Sequence, residues 1–267
     1  MKILVLVKEV PDMDKVKFDR DKGIVDRSSA EAEMNPFDEN ALQAAINLKE
    51  KNTANTTVTV MTMGPQRAER TLRDAYARGA DRGVLLTDRQ FGGADTYATA
   101  KTLAAAIKKE GNFDLIICGE KSVDGDTGQV GAEVAELLDI PHAYYVEKIL
   151  TLSKDVVKIC IENIGGDKQI RTIKLPALIS VTKNIGRLKL PTVNRKLESL
   201  KMQIQTITMQ HLCDFLMEDE TGLKGSPTKV SKIIVPKEVK KCNRVFREDF
   251  TAFLQSVNEA LEKKGIV

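Results

Sequence analysis

The sequence is poor in the residues on which much side-chain chemistry depends. Its 267 residues include no tryptophan, only two histidines and four cysteines. The cysteines, at positions 118, 160, 213 and 242, form no CxxC pair, so neither a zinc ribbon nor an iron–sulfur cluster is supported. Chemistry built on histidine pairs is nearly excluded. Free thiols are typical of a reduced cytoplasmic protein.

An excess of one charge and a long apolar run are also absent from the sequence. Lys plus Arg number 41 and Asp plus Glu 38, whereas nucleic-acid-binding proteins usually carry a strong basic excess. No apolar run approaches the roughly 18 residues of a membrane helix. The first run, residues 3–7, is followed at once by Lys8 and Glu9, which argues against a signal peptide. We therefore expect a cytoplasmic protein that binds no nucleic acid and inserts into no membrane.

Strand and helix signals alternate over the first 140 residues. Short apolar runs predict strands at 3–7, 57–63, 83–87 and 114–118. Apolar residues at helical spacing predict helices around 41–48, 72–79, 99–109 and 131–138. This alternation is typical of βαβ units, so it predicts an α/β fold with a doubly wound parallel sheet.

The pattern changes after Pro141. Alternating segments at 143–152, 155–162 and 169–175 predict an antiparallel extension, and 177–181 predicts a further core strand. Residues 183–267 show little core of their own before an amphipathic helix at 247–264. We therefore divide the chain into an α/β domain, 1–182, and an extended C-terminal arm, 183–267. We expect the arm to pack on a partner chain rather than on the first domain.

Residues 119–131, GEKSVDGDTGQVG, carry the densest signal and are called the glycine loop below. They follow a predicted strand and precede a predicted helix, which places them at the carboxyl edge of the sheet, where ligands bind. Gly125, Gly128 and Gly131 let the backbone approach a ligand, and the helix start offers N–H groups to a phosphate. The pattern is neither GxGxxG nor GxxxxGK[ST]. The loop is either a nucleotide site or a flexible turn with two solvated carboxylates.

Two further segments are candidates for the same edge. In residues 34–38, Asn35 suits a helix N-cap, Pro36 the first helical position and Asp38 a capping-box pair. As local chemistry this segment predicts a cap, and a functional role depends on its lying beside the glycine loop. Residues 88–96, DRQFGGADT, follow another strand, and Asp95 and Thr96 there suit either a cap or a ligand contact.

The sequence resembles the small (beta) subunit of the electron-transfer flavoproteins over its whole length. The motifs that carry the resemblance are VLVK at 5–8, MNPF at 34–37, MGP at 63–65, RGADRG at 78–83, DGDTGQVG at 124–131 and LKLP at 188–191. The resemblance implies a doubly wound fold of the adenine-nucleotide hydrolase-like type. It also implies pairing with a large alpha subunit that carries an electron-transferring FAD.

The resemblance further implies a nucleotide in the cleft between the first strand, the Asn-Pro-Phe cap and the glycine loop. Simple members hold AMP there, whereas electron-bifurcating members hold a second FAD and accept hydride from NADH. The implied cofactor-binding residues are Leu6, Asn35, Pro36, Phe37, Asp38, Met63, Ala94, Asp95, Thr96, Val123, Asp124, Gly125, Asp126, Thr127, Gly128, Gln129, Val130, Gly131 and Ala132.

Small residues in the glycine loop favour the bifurcating class. Simple members commonly carry bulkier residues where this sequence has Gly125 and Gly128, and GGADT at 92–96 is similar to the bifurcating members. We therefore expect electrons from NADH to pass to ferredoxin and, through the alpha-subunit FAD, to a flavin-containing dehydrogenase. The family expectation for that enzyme is an acyl-CoA dehydrogenase-like or lactate dehydrogenase-like protein. The cofactor supplies the chemistry, so no catalytic side chain and no metal are predicted.

The partner-docking residues implied by the resemblance are Arg187, Leu188, Leu190 and Pro191, which match the family's recognition loop. Leu190 is the expected anchor, because an exposed apolar side chain rimmed by Lys and Arg suits docking. Two alternatives stay open. One is a simple electron-transfer flavoprotein with structural AMP. The other is a nucleotide-binding stress-type protein without redox work, against which the long arm argues.

Overall fold

A nine-stranded sheet runs through the larger of two compact units, Met1–Ile233, and the second unit is Ile234–Val267. The computed structural model describes residues 1–12, 15, 17–19, 24–26, 31–51, 56–162, 165–230, 245–247 and 249–266. The strands are β1 (Lys2–Leu6), β2 (Glu9–Pro11), β3 (Lys17–Asp19), β4 (Ile24–Asp26), β5 (Ala32–Met34), β6 (Thr57–Met63), β7 (Arg82–Leu86), β8 (Leu115–Gly119), β9 (His142–Leu152), β10 (Val156–Glu162), β11 (Lys168–Lys174), β12 (Ala177–Val181) and β13 (Ile204–Ile207).

The sheet is parallel in its centre and antiparallel at one edge. Its strand order is β11-β10-β9-β12-β8-β1-β6-β7-β13. The pairings from β9 through β13 are parallel, and only β10 and β11 add antiparallel ladders beyond β9. Two small antiparallel pairs, β2 with β5 and β3 with β4, stand apart from this sheet. The predicted fold class, a doubly wound parallel sheet with an antiparallel extension, is confirmed.

Helices cover both faces of the parallel strands. The first unit contains α1 (Pro36–Lys51), α2 (Glu69–Arg78), α3 (Thr96–Glu110), α4 (Val130–Leu137), α5 (Val193–Ser199) and α6 (Gly222–Gly225), and the second unit contains α7 (Phe250–Glu262). In β1, Ile3 and Val5 pack in one apolar cluster with α1 and α2, while Leu4 and Leu6 pack in a second with α3 and α4. Alternate residues of one strand thus serve two cores, which explains why the central strands are apolar throughout.

The segment after residue 183 adds to the first unit rather than only leaving it. Strand β13 pairs in parallel with β7, and Met209, Leu212 and Leu216 are buried in the second cluster. This differs from the expectation that the arm packs on a partner chain and not on the first domain. The reason is the short alternating run at 204–207, whose Ile207 completes the edge of the core. Docking of the remaining arm onto another chain stays a prediction.

The second unit is described by helix α7. Asp249 caps it by accepting a hydrogen bond from the Ala252 N–H at 2.9 Å, and its apolar residues Phe250, Phe253 and Leu254 are exposed. The predicted helix at 247–264 is confirmed within three residues at each end. Of the arm, residues 231–244, 248 and 267 lie outside the described residues. Every helix in the described part of the chain is too short or too polar to cross a membrane.

Candidate functional site

The strand order reverses between β1 and β8. The chain proceeds from β1 to β6 and β7 on one side, then returns through α3 to β8 on the other side of β1. At such a switch point the connections leave in opposite directions and open a crevice at the carboxyl ends of the strands. The glycine loop follows β8, and the start of α1 lies at the end of β1 because the Asn35 N–H donates to the Lys8 carbonyl, so both predicted segments border this crevice.

The Asp38 carboxylate joins the carboxyl ends of β1 and β8. Its Oδ2 accepts a hydrogen bond from the Lys8 N–H at 2.8 Å, and its Oδ1 accepts one from the Gly119 N–H at 3.1 Å. The residue is only 6% exposed. Because each oxygen bonds to a different strand end, Asp38 fixes the two sides of the crevice relative to each other.

Burial also changes the acidity of this carboxyl group. Desolvation raises the pKa of Asp38 from 3.8 to about 7, and the hydrogen bonds from Lys8, Asn35 and Gly119 oppose that rise. The buried Cys118 thiol lies close enough for the Asp38 charge to add to a pKa rise that burial dominates. Cys118 is therefore held as a neutral thiol in the core.

Asn35 fixes the glycine loop to the start of α1. Its side-chain Nδ2 donates to the Lys121 carbonyl at 2.8 Å, and its Oδ1 accepts from the Val123 N–H at 3.1 Å. Asn35 is 1% exposed. One buried amide thus satisfies two backbone groups of the loop, which an apolar side chain of similar size cannot do.

The local prediction of a capping box at 35–38 is wrong. The Asn35 N–H donates to the Lys8 carbonyl at 2.9 Å, so it is not the partner of the Asp38 carboxylate. Both side chains turn toward the strand ends and the glycine loop instead. These tertiary contacts are favoured over a capping box because they satisfy buried backbone groups that have no helical partner. The condition set for a functional role, proximity to the glycine loop, is met.

The three glycines of the loop serve three different purposes. Gly128 has φ +64°, a conformation that favours glycine. A Cβ at Gly131 would lie 2.6 Å from the Tyr144 hydroxyl and 2.7 Å from Cys118 Sγ, so the fold itself requires glycine there. A Cβ at Gly125 would meet only Ser122 Oγ, at 3.6 Å. Gly125 is therefore the one whose missing side chain leaves open space.

Three of the four charged side chains in the glycine loop, those of Lys121, Asp124 and Asp126, form ion pairs. Lys8 Nζ lies 2.6 and 2.8 Å from the two carboxylate oxygens of Asp124, whose side chain is 10% exposed. Lys121 Nζ lies 2.8 Å from Asp126 Oδ1 and 5.9 Å from the centre of the Phe37 ring. The alternative of a flexible turn with two solvated carboxylates does not fit Asp124, which is largely buried and held by Lys8.

At the start of α4, one backbone N–H is already paired, whereas one carboxylate oxygen has no partner among the described residues. One of its first amides, that of Ala132, already donates to the Tyr144 hydroxyl at 2.7 Å. In the same turn, Glu133 Oε1 accepts from the Thr96 hydroxyl at 3.1 Å, and burial raises the Glu133 pKa. Among the described residues, its Oε2 is buried without a hydrogen-bond partner. A buried acceptor without a partner fits a ligand that brings hydroxyl donors, as the sugar of a nucleotide does.

Residues 92–96 lie against the start of α4. The Thr96 hydroxyl is 3.3 Å from Gln129 Oε1 and 3.1 Å from Glu133 Oε1. Asp95 caps α3, since its Oδ1 accepts from the Ala98 N–H at 3.0 Å. Its Oδ2 accepts from the N–H and the hydroxyl of Thr228, at 2.9 and 2.7 Å. Thr96 therefore faces the start of α4, whereas the Asp95 carboxylate is hydrogen-bonded to Ala98 and Thr228.

The remaining predicted residues of the cleft lie around these contacts. Leu6 is buried in the second cluster, and Met63 and Val130 pack against that same cluster. Phe37 is half-buried under Lys121, while Pro36 is exposed at the first turn of α1. Ala94 is half-buried before α3, and Thr127 is exposed in the loop.

The predicted docking segment is exposed but anchored from below. Leu190 is 88% exposed, and Arg187 and Leu188 are exposed beside it. The Lys189 N–H donates to Gln43 Oε1 at 2.8 Å, and Lys189 Nζ lies 2.6 Å from Glu50 Oε2. Helix α1 therefore holds residues 187–191 while leaving the Leu190 side chain in solvent.

Sequence reasoning missed several residues of this site. Lys8, Lys121, Glu133 and Tyr144 contact the predicted residues, but none stands out in the sequence. Lys8 and Lys121 each lie two residues after the end of a strand, so their position relative to β1 and β8 was an available signal. Tyr144 offered none, because its contact depends on how β9 packs beside α4.

Comparison with known proteins identifies what the chain is similar to. The family model described as "Electron transfer flavoprotein domain" matches residues 22–209. The chain is 38% identical over 269 residues, covering both proteins fully, to the electron transfer flavoprotein subunit beta of Thermoanaerobacterium thermosaccharolyticum. It is 39% identical over 237 residues, 88% of each protein, to the caffeyl-CoA reductase-Etf complex subunit CarD of Acetobacterium woodii. It is also 39% identical to the acryloyl-CoA reductase electron transfer subunit gamma of Anaerotignum propionicum, over 88% of this chain and 89% of that protein.

Proposed function

The chain belongs to the electron transfer flavoprotein family as a beta subunit, and we propose that it binds FAD in the cleft between β1 and β8. In this proposal it pairs with an alpha subunit that carries a second, electron-transferring FAD. The observation that carries the proposal is the glycine loop, which Asn35 and Asp38 hold at the switch point with Gly125 facing open space.

The proposed cofactor is FAD rather than AMP. The diphosphate and flavin of FAD need more room beside the loop than a monophosphate does, and Gly125 leaves that room. When bound, FAD supplies hydride acceptance from NADH and the division of an electron pair between two acceptors. The acceptors proposed are ferredoxin and, through the alpha-subunit FAD, a partner dehydrogenase. AMP in the same cleft, as in a simple electron-transfer flavoprotein, is the alternative.

The side chains of the cleft would bind and orient the nucleotide. Lys8 and Lys121 place two cations beside the loop, and their pairing with Asp124 and Asp126 keeps the loop in one conformation. The Glu133 Oε2 atom would accept a hydrogen bond from a nucleotide hydroxyl. Asp38 and Asn35 would act from behind, by fixing the backbone that surrounds the ligand.

The proposed docking partner is a flavin-containing dehydrogenase. Exposed Leu190 would enter a pocket on that enzyme, with Arg187, Leu188 and Pro191 around it. The names of two relatives pair the subunit with a caffeyl-CoA reductase and an acryloyl-CoA reductase. These names favour an acyl-CoA dehydrogenase-like partner over a lactate dehydrogenase-like one. We place the complex in the cytoplasm, where NADH and ferredoxin are found.

The experiment that tests this function follows NADH oxidation by the complex of both subunits and the dehydrogenase. We expect ferredoxin to be reduced by NADH only while the dehydrogenase has its own acceptor, because the two transfers share one electron pair. Ferredoxin reduction without that acceptor contradicts coupled transfer. A complex that oxidises no NADH but passes electrons between dehydrogenase and alpha-subunit flavin supports the simple, AMP-holding alternative.

A further inference from the structure

Residues 221–228, here called the strap, lie against the 88–96 loop at the carboxyl edge of the sheet. The Leu223 N–H donates to the Gly92 carbonyl at 3.2 Å, and the Thr221 hydroxyl lies 3.4 Å from the Gln90 carbonyl. Just before the strap, Glu220 pairs with Lys101 of α3 at 2.7 Å. The strap thus packs on one side of the loop that leads into α3.

Asp95 is the point where the strap is most tightly held. The Asp95 N–H donates to the Ser226 hydroxyl at 2.8 Å, and Ser226 Oγ donates in turn to the Gly222 carbonyl at 2.6 Å. The two oxygens of the Asp95 carboxylate have different partners. Oδ1 caps α3 by accepting a hydrogen bond from the Ala98 N–H, and Oδ2 accepts hydrogen bonds from the N–H and the hydroxyl of Thr228. Burial acts against the ionised form, yet the bonds from Ala98 and Thr228 hold the pKa of Asp95 below its usual range.

The other side of the same loop contacts the nucleotide cleft. Thr96, the next residue, reaches Gln129 and Glu133 at the start of α4. Glu133 carries the buried, unpartnered oxygen assigned above to a nucleotide hydroxyl. Two adjacent residues of one loop therefore face in opposite directions, Asp95 to the strap and Thr96 to the cleft.

We propose that Ser226 and Thr228 are positioning residues for the nucleotide cleft, acting through Asp95 to hold Thr96 and Glu133 in the geometry that binds the nucleotide. This proposal rests on the proposed function, since it assigns a role at the same cleft. Neither residue touches the cleft in the structure, so their effect passes through the 95–96 backbone. A hydrogen bond to a carboxylate is stronger than one between neutral groups, which suits the Thr228 contact to this role.

The strap belongs to the C-terminal stretch of the first unit, which ends at Ile233. Coupling between sites is reciprocal, so a nucleotide that tightens the cleft must also tighten the strap. This stretch of the C-terminal arm would then respond to whether the cleft is filled.

The test measures nucleotide affinity in the full complex, which contains the alpha subunit and has been freed of bound nucleotide. It compares wild type with Thr228→Val, Thr228→Ser and Thr172→Val. AMP and FAD are titrated separately. Valine keeps the shape of threonine without the hydroxyl donor, serine restores the donor, and Thr172 is an exposed threonine on the distant edge strand β11. We expect Thr228→Val to weaken binding about fivefold or more, and the other two variants to stay near wild type.

Hydrogen exchange of the wild-type complex, with and without AMP or FAD, provides the second readout. We expect the nucleotide to slow exchange of the 221–228 amides, an effect that a purely structural role of Thr228 would not produce. Equal affinities of Thr228→Val and wild type, or unchanged exchange in the strap, overturn the proposal while leaving the proposed function intact. A wild-type complex that binds neither nucleotide overturns the proposed function itself, and this inference with it.

Discussion

Asp38 is the residue on which the shape of the cleft most directly depends. Its two oxygens hold N–H groups at the ends of neighbouring strands, in a place from which water is excluded. A carboxylate in that position carries a desolvation cost, and the raised pKa of about 7 expresses it. The group is therefore a structural clamp whose protonation state changes near neutral pH.

The Asp38 clamp predicts a particular dependence of stability on pH. Its folded pKa of about 7 lies above the ordinary value of 3.8, so the folded state keeps this proton while the unfolded state loses it. The free energy of unfolding should therefore fall as pH rises from about 4 to about 7, by at most about 1.4 kcal/mol per pH unit, and level off above. Denaturant unfolding of wild type and Asp38→Asn across this range measures the difference. Parallel curves for the two proteins would contradict the assignment.

Gly125 and Gly131 are expected to respond differently to the same substitution. Gly131→Ala forces a methyl group against Tyr144 and Cys118, so it should destabilise the fold by about 1–3 kcal/mol. Gly125→Ala meets only open space and should leave the unfolding free energy within about 0.5 kcal/mol, while lowering the FAD affinity. Thermal unfolding and flavin titration of both variants separate the two roles. An equal loss of stability in both would show that Gly125 also serves the fold.

Among the secondary-structure elements, helix α2 supports the short helix α5. Arg73 Nη1 donates to the carbonyls of Ser199 and Leu200 at 2.9 Å, where α5 ends, and Arg73 also pairs with Glu69. The Tyr76 hydroxyl donates to the Gln203 carbonyl at 2.9 Å. The Arg73 bonds reach carbonyls at the C-terminal end of α5, where the last turn lacks a full set of helical N–H donors. They hold in place the chain that follows the exposed 187–191 segment.

Removal of the Arg73 contacts should loosen α5 without unfolding the sheet. We expect Arg73→Met to speed amide exchange over 193–203 and to cost about 1–3 kcal/mol locally, because bonds from a charged donor are lost. Arg70→Met, an exposed position on the same helix, is the control. Faster exchange throughout the sheet, or no change at 193–203, would argue against local support by α2.

Most elements of the sheet are predictable from the sequence, since each has a continuous apolar run or a helical period. The strands at 57–63 and 177–181 match their predicted bounds, and the other predicted strands differ by a residue or so. Strand β13 escapes prediction because its run, IQTI, is only four residues long, and its burial depends on pairing with the edge strand β7. At the site, the sequence predicts that residues 35–38 form the start of a helix, but the direction of the Asn35 and Asp38 side chains depends on tertiary contacts.

Across the first unit as a whole, helix α1 contacts the cleft and the docking segment at separate points along its length. Asn35 and Asp38 lie at its start beside the cleft, and Gln43 and Glu50, farther along the helix, hold residues 187–191. A change in the docking segment should therefore affect partner binding without emptying the cleft.

Leu190 provides the test of that separation. We expect Leu190→Ala to weaken binding of the dehydrogenase by about 1–3 kcal/mol while the flavin content stays that of wild type, because the lost contact is external. Leu150→Ala, another exposed leucine on β9, serves as the matched control. Calorimetric titration with the dehydrogenase gives the affinities. Similar binding by both variants and wild type would remove Leu190 from the docking surface.

The identity of the nucleotide in the cleft is the most direct test of the proposed function. Acid extraction of the co-expressed alpha–beta heterodimer, with FAD and AMP separated by chromatography, measures it. We expect two FAD per heterodimer and no AMP, the second flavin being held between β1, β8 and the glycine loop. One FAD with one AMP would contradict it, and would leave a single-flavin electron carrier whose beta subunit holds a structural nucleotide.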